Sequence, residues 1–147
     1  MIRAVRVLGL DIGSVRIGVA VSDPSGTVAT PLAVLDARRT LVDGDELRAI
    51  VEEQHPDLIV VGLPVTMSGE EGPQARAVRE AGEALGRMLG LPVAFFDERL
   101  TTVQASAAMR AHGSGARTQR GRVDKVAAAL LLQAYLDSSK KEGSDEP

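Results

Sequence analysis

The hydrophobic period shifts from that of strands to that of helices after the first third of this chain, and that shift sets the architecture. Val5 to Ile12 is rich in β-branched residues and Leu and predicts a strand. Asp11 ends the run and Gly13-Ser14 supplies a turn. Val15 to Ser22 alternates with period two, with Val15, Ile17, Val19 and Val21 on one face and Arg16, Gly18, Ala20 and Ser22 on the other. Asp23-Pro24-Ser25-Gly26 is a turn signal. Thr27 to Leu35 predicts a third strand, with Pro31 marking an edge or an irregularity. Three strands joined by short turns make an antiparallel meander.

Helical spacing then takes over. Asp43 is placed to cap a helix whose stripe is Leu47, Ile50 and Val51, and His55-Pro56 ends it. Leu58 to Val61 is wholly apolar, as in a strand covered on both faces. Pro73 to Leu89 predicts a long helix with Ala77, Val78, Ala81, Leu85 and Met88 inward and Gly90 as its C-terminal cap. Pro92 to Phe96 is the fifth strand. Thr102 is placed to cap a helix through Met109, His112 to Gly121 reads as a mobile basic loop, and Val123 to Leu136 as a buried last helix. The order βββαβαβαα predicts an α/β fold, a mixed five-stranded sheet flanked by helices. Residues 1–137 are expected to form a single domain and 138–147 a disordered tail.

Composition narrows the chemistry. At 147 residues and 44% hydrophobic the chain fills one domain with a real core. Its 2% aromatic content is Phe95, Phe96 and Tyr135, too few for a base-stacking platform. With no cysteine, disulfides, thiolate catalysis, zinc fingers and iron–sulfur clusters drop out, as fits a cytosolic protein. His55 and His112 are too few for a His-rich metal site. Met1 to Val7 reads as a strand, so no signal peptide is expected, and no apolar run reaches the ~20 residues of a membrane span. The net charge of −3 means that any polyanion must be gripped by a local patch.

Three carboxylate positions stand out. Asp11 shares a strand face with Val5, Val7 and Gly9; small residues nearby, Gly9, Gly18 and Ala20, leave room for something to approach the sheet. Asp97 and Glu98 end the fifth strand, and only one of them can point toward Asp11. Asp124 opens the last helix on the stripe of Ala127, Ala128, Leu131 and Tyr135. Each also has a plain structural reading, as turn initiator, solvated strand end and macrodipole compensation. Three converging carboxylates would repel unless a divalent cation neutralised them. Oxygen donors without Cys or clustered His suit Mg²⁺ or Mn²⁺. Such ions polarise a phosphodiester and help deprotonate water.

These residues resemble a known family. Leu8-Gly9-Leu10-Asp11-Ile12-Gly13, with Arg16-Ile17-Gly18-Val19-Ala20 and Ser22-Asp23, is similar to the opening of the YqgF family, also called RuvX. Val61-Gly62-Leu63-Pro64 with Gly69, Asp97-Glu98-Arg99-Leu100-Thr101-Thr102, and Val123-Asp124-Lys125-Val126-Ala127-Ala128 fit its later motifs, in order. The resemblance implies a ribonuclease H-like fold and a nuclease described both as a Holliday junction resolvase and as acting on the 5′ end of precursor 16S rRNA. It nominates Asp11, Glu98 and Asp124 as the catalytic, metal-binding acids, with Glu98 preferred over Asp97 because the family's acid lies next to the Arg.

Arg16, Arg99 and Lys125 flank these acids and could position phosphate or pair with the acids themselves. Arg110, His112, Arg117, Arg120, Arg122 and Lys125 form a basic tract suited to a nucleic-acid backbone. Asp23 reads as turn chemistry, and Phe95 and Phe96 as core. The leading expectation is a cytoplasmic, Mg²⁺-dependent endonuclease of structured nucleic acid, monomer or homodimer, without membrane contact. A non-catalytic RNA-binding assembly factor is the alternative from another class. A phosphotransferase of the actin and sugar-kinase type needs two such domains, and this length supplies one.

Overall fold

The computed structural model describes residues 5–101 and 126–139. Its elements are β1 (Val7–Ile12), β2 (Arg16–Ser22), β3 (Ala29–Asp36), α1 (Ala37–Val42), α2 (Asp45–Gln54), β4 (Leu58–Leu63), α3 (Pro73–Leu89) and β5 (Val93–Asp97). Residues 99–101 are helical, and residues 126–139 form a further helix, α4. The five strands make one sheet in the order β3-β2-β1-β4-β5. The meander β1-β2-β3 is antiparallel; β1, β4 and β5 run parallel. Parallel neighbours need crossovers, and α1–α2 and α3 supply them.

β1 and β4 lie inside the sheet and are covered on both faces, as the apolar run of β4 predicts. One face carries Leu8, Leu10, Ile17, Val19, Ile59 and Val61 against Leu47 of α2 and Val78 and Leu85 of α3. The other carries Val7, Ala20 and Val60 against Ala128, Leu132 and Leu136 of α4. The glycines on this second face admit α4 itself. A Cβ on Gly9 would lie 2.9 Å from the Leu132 Cβ, and one on Gly62 would lie 2.9 Å from Leu131 Cδ2. Phe95 and Phe96 are core, on opposite faces. Phe95 lies under the Arg79 guanidinium, 4.6 Å from its centroid, and Phe96 meets Tyr135 edge-on at 5.8 Å.

Several expectations are corrected. Val15 is 63% exposed rather than on the inner face of β2. The Gly13 N–H donates to the Arg16 carbonyl at 2.9 Å, so the turn takes in Val15 and the strand starts at Arg16. An extra helix, α1, follows β3 directly. The Asp36 carboxylate accepts from the Arg39 N–H at 2.9 Å and caps it. Asp43 is therefore the end of α1 rather than the cap of α2; Gly44, at φ 67°, takes that place. On α3 the buried stripe is Ala75, Val78, Gly82, Leu85 and Gly86, and Ala77 faces solvent. α4 continues through residue 139, so the first two residues of the expected tail are helical.

Other expectations hold. Gly90 caps α3 in the left-handed region, at φ 68°. Pro31 lies on edge strand β3, beside a register shift opposite Val19/Ala20. Asp23 is turn chemistry: its Oδ1 accepts from the Thr27 and Val28 N–H groups at 2.7 and 2.9 Å, and Ser25 Oγ donates to its Oδ2. The expected helix from Thr102 to Met109, the loop from His112 to Gly121 and residues 140–147 lie outside the described residues. Among the described residues no helix is long and apolar enough to cross a membrane.

Candidate active site

Strand alternation distributes the acids. On β1, Val7, Gly9 and Asp11 point to the face covered by α4, while Leu8 and Leu10 point to the other. Asp11 is registered against Gly18 of β2, and Arg16, two residues before Gly18, shares that face. On β5, Ala94 and Phe96 face α4, so Asp97 turns away and Glu98 returns to the α4 side. The Glu98 N–H donates to the Leu63 carbonyl at 3.1 Å, which carries the β4–β5 ladder one residue past the strand and keeps the alternation intact. Glu98, rather than Asp97, therefore shares a face with Asp11.

β1, β4 and β5 are parallel, so their carboxyl ends lie along one edge of the sheet. Ligands of open α/β sheets bind outside such ends. Asp11 is near the end of β1 and Glu98 just past β5, with β4 between them. Their carboxyls sense each other. Burial raises the Glu98 pKa, the Asp11 charge raises it further, and Asp97 adds to this. Asp97 behaves oppositely. Arg99 hydrogen bonds hold its carboxyl below the usual range, through contacts of 2.6 Å from Nη2 and 2.9 Å from Nε to Oδ2.

The remaining predicted residues divide in two. Arg16 and Arg99 are described, Arg16 on the Asp11 face and Arg99 on Asp97. Asp124, Lys125, Arg110, His112, Arg117, Arg120 and Arg122 lie outside the described residues. Among the described residues no three His, Cys, Asp or Glu side chains form a group able to hold a metal. The direction of α4 is nonetheless defined. Ala128 and Leu132 flank Gly9. Gln133 accepts from the Ala29 N–H at 2.9 Å and donates to the Thr27 carbonyl at 3.0 Å, beside the amino end of β1. α4 thus runs antiparallel to β1, and its amino end points toward the Asp11 end.

Sequence reasoning missed what pins Glu98. Buried Thr101 donates to the Glu98 carbonyl through both its N–H, at 3.1 Å, and its Oγ1, at 2.9 Å. Residues 99–101 are already helical ahead of Thr102, which lies outside the described residues.

The raised Glu98 pKa carries a stability prediction. An acid with a higher pKa folded than unfolded favours the fold below its unfolded pKa, and that contribution is lost as pH rises through the folded value. In metal-free solution, wild-type melting temperature should fall over this window relative to Glu98→Gln. Parallel melting curves of the two proteins from pH 4 to pH 8 would detect no divergence if Glu98 were an ordinary solvated acid.

This strand order, with acids on one face at the carboxyl edge and a helix across that face, defines the ribonuclease H-like class. Solved structures agree on the fold. The Thermus thermophilus RuvC structure superposes with a TM-score of 0.56 at 16% identity, covering 91% of this chain and 96% of that one. The yeast mitochondrial Holliday junction resolvase Ydc2 gives 0.57 at 10% identity, covering 99% and 83%. The chain belongs to the RuvX family, whose model, described as Holliday junction resolvase, matches residues 5–138. Relatives from Anaeromyxobacter sp. and Moorella thermoacetica, both provisionally named pre-16S rRNA nuclease, are 46% and 44% identical. The matches cover 90% and 94% of this chain and 96% and 99% of those relatives.

Proposed function

We propose that this protein is a divalent-metal-dependent endonuclease that hydrolyses phosphodiester bonds of structured nucleic acid, acting in the cytoplasm on the 5′ end of precursor 16S rRNA. The carrying observation is the shared face of Asp11 and Glu98, where the charge of one raises the proton affinity of the other. Such crowding fits a dication, and an all-oxygen donor set fits Mg²⁺ or Mn²⁺. Asp11 and Glu98 would hold it, with Asp124, two residues ahead of α4 in the sequence, proposed to complete the set. Bound there, the ion would supply Lewis acidity toward the phosphodiester and toward water.

The chain's own groups do the rest. Asp11 and Glu98, once both ionised, present acceptors on the side from which a backbone approaches. Gly18 leaves the position beside Asp11 without a side chain, and Arg16 on the same face would meet a phosphate. Arg117, Arg120, Arg122 and Lys125 would grip the strand by charge, giving salt-dependent affinity. The names of the close relatives support the rRNA substrate.

A second substrate, the four-way DNA junction, is favoured by the family description. Its two-fold symmetry calls for a homodimer, whereas an rRNA end is served by a monomer. Cleavage of both substrates side by side, by wild type and Asp11→Asn from one purification, decides between them. The expected result is faster Mg²⁺-dependent cleavage of the rRNA mimic, lost in the variant. Binding without cleavage under any divalent ion would leave an RNA-binding assembly factor instead.

A further inference from the structure

Arg99 follows the proposed metal acid directly, yet its guanidinium is turned onto protein. Nε reaches both Asp97 oxygens, at 3.1 and 2.9 Å, and Nη2 reaches Oδ2 at 2.6 Å. The Arg99 backbone N–H also donates to Asp97 Oδ1, at 2.9 Å. Nη1 extends the grip to a different part of the chain, the Thr66 and Met67 carbonyls, at 3.4 and 3.3 Å. Those carbonyls belong to the segment between β4 and α3. It is closed by Thr66 N–H to the Glu70 carbonyl and Gly69 N–H to the Thr66 carbonyl, both 2.9 Å. Gly69, at φ 87°, lies under the guanidinium; a Cβ there would sit 3.7 Å from Nη2.

The geometry points to Arg99 as a positioning residue: it fastens Asp97 to the β4–α3 segment and so fixes the backbone from which Glu98 projects toward Asp11. Glu98 is the single residue between the two halves of the ion pair. Its N–H is tied to Leu63 and its carbonyl to Thr101. With Asp97 and Arg99 locked as well, the carboxyl keeps only its own side-chain rotations. The planar fork matters, because it meets a carboxylate and two carbonyls at once, and an ammonium lacks that shape. Pairing also offsets the Asp97 charge close to Glu98. This role rests on the reading of Glu98 as a metal acid, and it differs from a direct grip on substrate phosphate.

The test uses the full chain and the variants Arg99→Ala, Arg99→Lys, Asp97→Asn and Glu98→Gln. Three measurements are made: Mn²⁺ affinity by calorimetry without nucleic acid, steady-state kinetics (kcat and KM) on an rRNA mimic, and the salt dependence of RNA binding. Losing a group that orients a metal ligand typically lowers affinity about 10–100-fold. Arg99→Ala should weaken Mn²⁺ binding by at least about tenfold and lower kcat, with RNA affinity and salt slope unchanged. Arg99→Lys should recover only part of this, and Asp97→Asn should move the same quantities in the same direction. Both stand in for Arg99→Ala if that variant does not fold. A phosphate contact would give the opposite pattern, weaker RNA binding with a salt slope shallower by about 1 and intact Mn²⁺ affinity; that result overturns the proposal. So does an Arg99→Ala protein equal to wild type beside an inactive Glu98→Gln. A fully active Glu98→Gln that binds Mn²⁺ normally would instead overturn the reading of Glu98 itself.

Discussion

Asp11→Asn is expected to abolish divalent-dependent cleavage while leaving the fold and nucleic-acid binding in place. The substitution keeps shape and removes one negative charge. Metal-assisted charge stabilisation is worth several kcal/mol; at 1.36 kcal/mol per tenfold, a loss of ~4 kcal/mol is about 10³ in rate. Binding should survive because the proposed grip is made by cations elsewhere, at Arg16 and in the basic tract. Asp11 also raises the Glu98 pKa by like-charge repulsion. The metal-free variant should therefore melt at the wild-type temperature or above. Single-turnover rates at saturating Mg²⁺, with a melting curve on the same preparation, measure both effects. Full activity in the variant would remove Asp11 from the mechanism.

Gly9→Val should be strongly destabilising. Its Cβ alone would lie 2.9 Å from the Leu132 Cβ and 3.4 Å from the Ala128 carbonyl oxygen. Neither contact can be relieved by a rotamer change, so α4 must lift off β1. Overpacking of this kind costs about 1–3 kcal/mol, and two further methyls push Val to the upper end, out of a total stability of roughly 5–15 kcal/mol. Gly62→Ala differs in kind. The Cβ there meets Leu131 Cδ2 and Cδ1, at 2.9 and 3.2 Å, the far end of a flexible side chain. Leu131→Ala should relieve part of the Gly62→Ala cost, with a coupling of about 0.5–3 kcal/mol. Leu132→Ala should not rescue Gly9→Ala, because the clashing Cβ remains. Urea denaturation midpoints of the two cycles test this. A wild-type midpoint for Gly9→Val would mean that α4 does not cross β1 at this point.

The elements that were legible are those whose signals reinforce each other. α3 has Pro73 inside its start and Gly90 past its end, and its bounds match the structure at both termini. β4 is apolar throughout and buried on both faces. α1 escaped because six residues are too few to show a helical period, and its cap, Asp36, also ends β3. The inner stripe of α3 was misplaced at Ala77 because hydrophobicity was counted where the closest approach is made by Gly82 and Gly86.

The site was partly legible for a similar reason. Alternation makes Asp97 and Glu98 mutually exclusive, but their side is set by the register of β5 on β4 and by the bond from Glu98 to Leu63. Both are non-local. The room around Gly9 was visible in the sequence; that a helix fills it was not. The Arg99 clamp reaches 33 and 32 residues back to Thr66 and Met67, a separation no local pattern encodes.

The central claim is that Asp11 and Glu98 jointly hold a divalent cation. Anomalous diffraction from crystals grown with Mn²⁺ tests it most directly. One peak or a close pair, contacted by carboxylate oxygens of both Asp11 and Glu98, is the predicted result. Ordered crystals whose Mn²⁺ is bound elsewhere, or on Asp97 with Glu98 turned away, would contradict it.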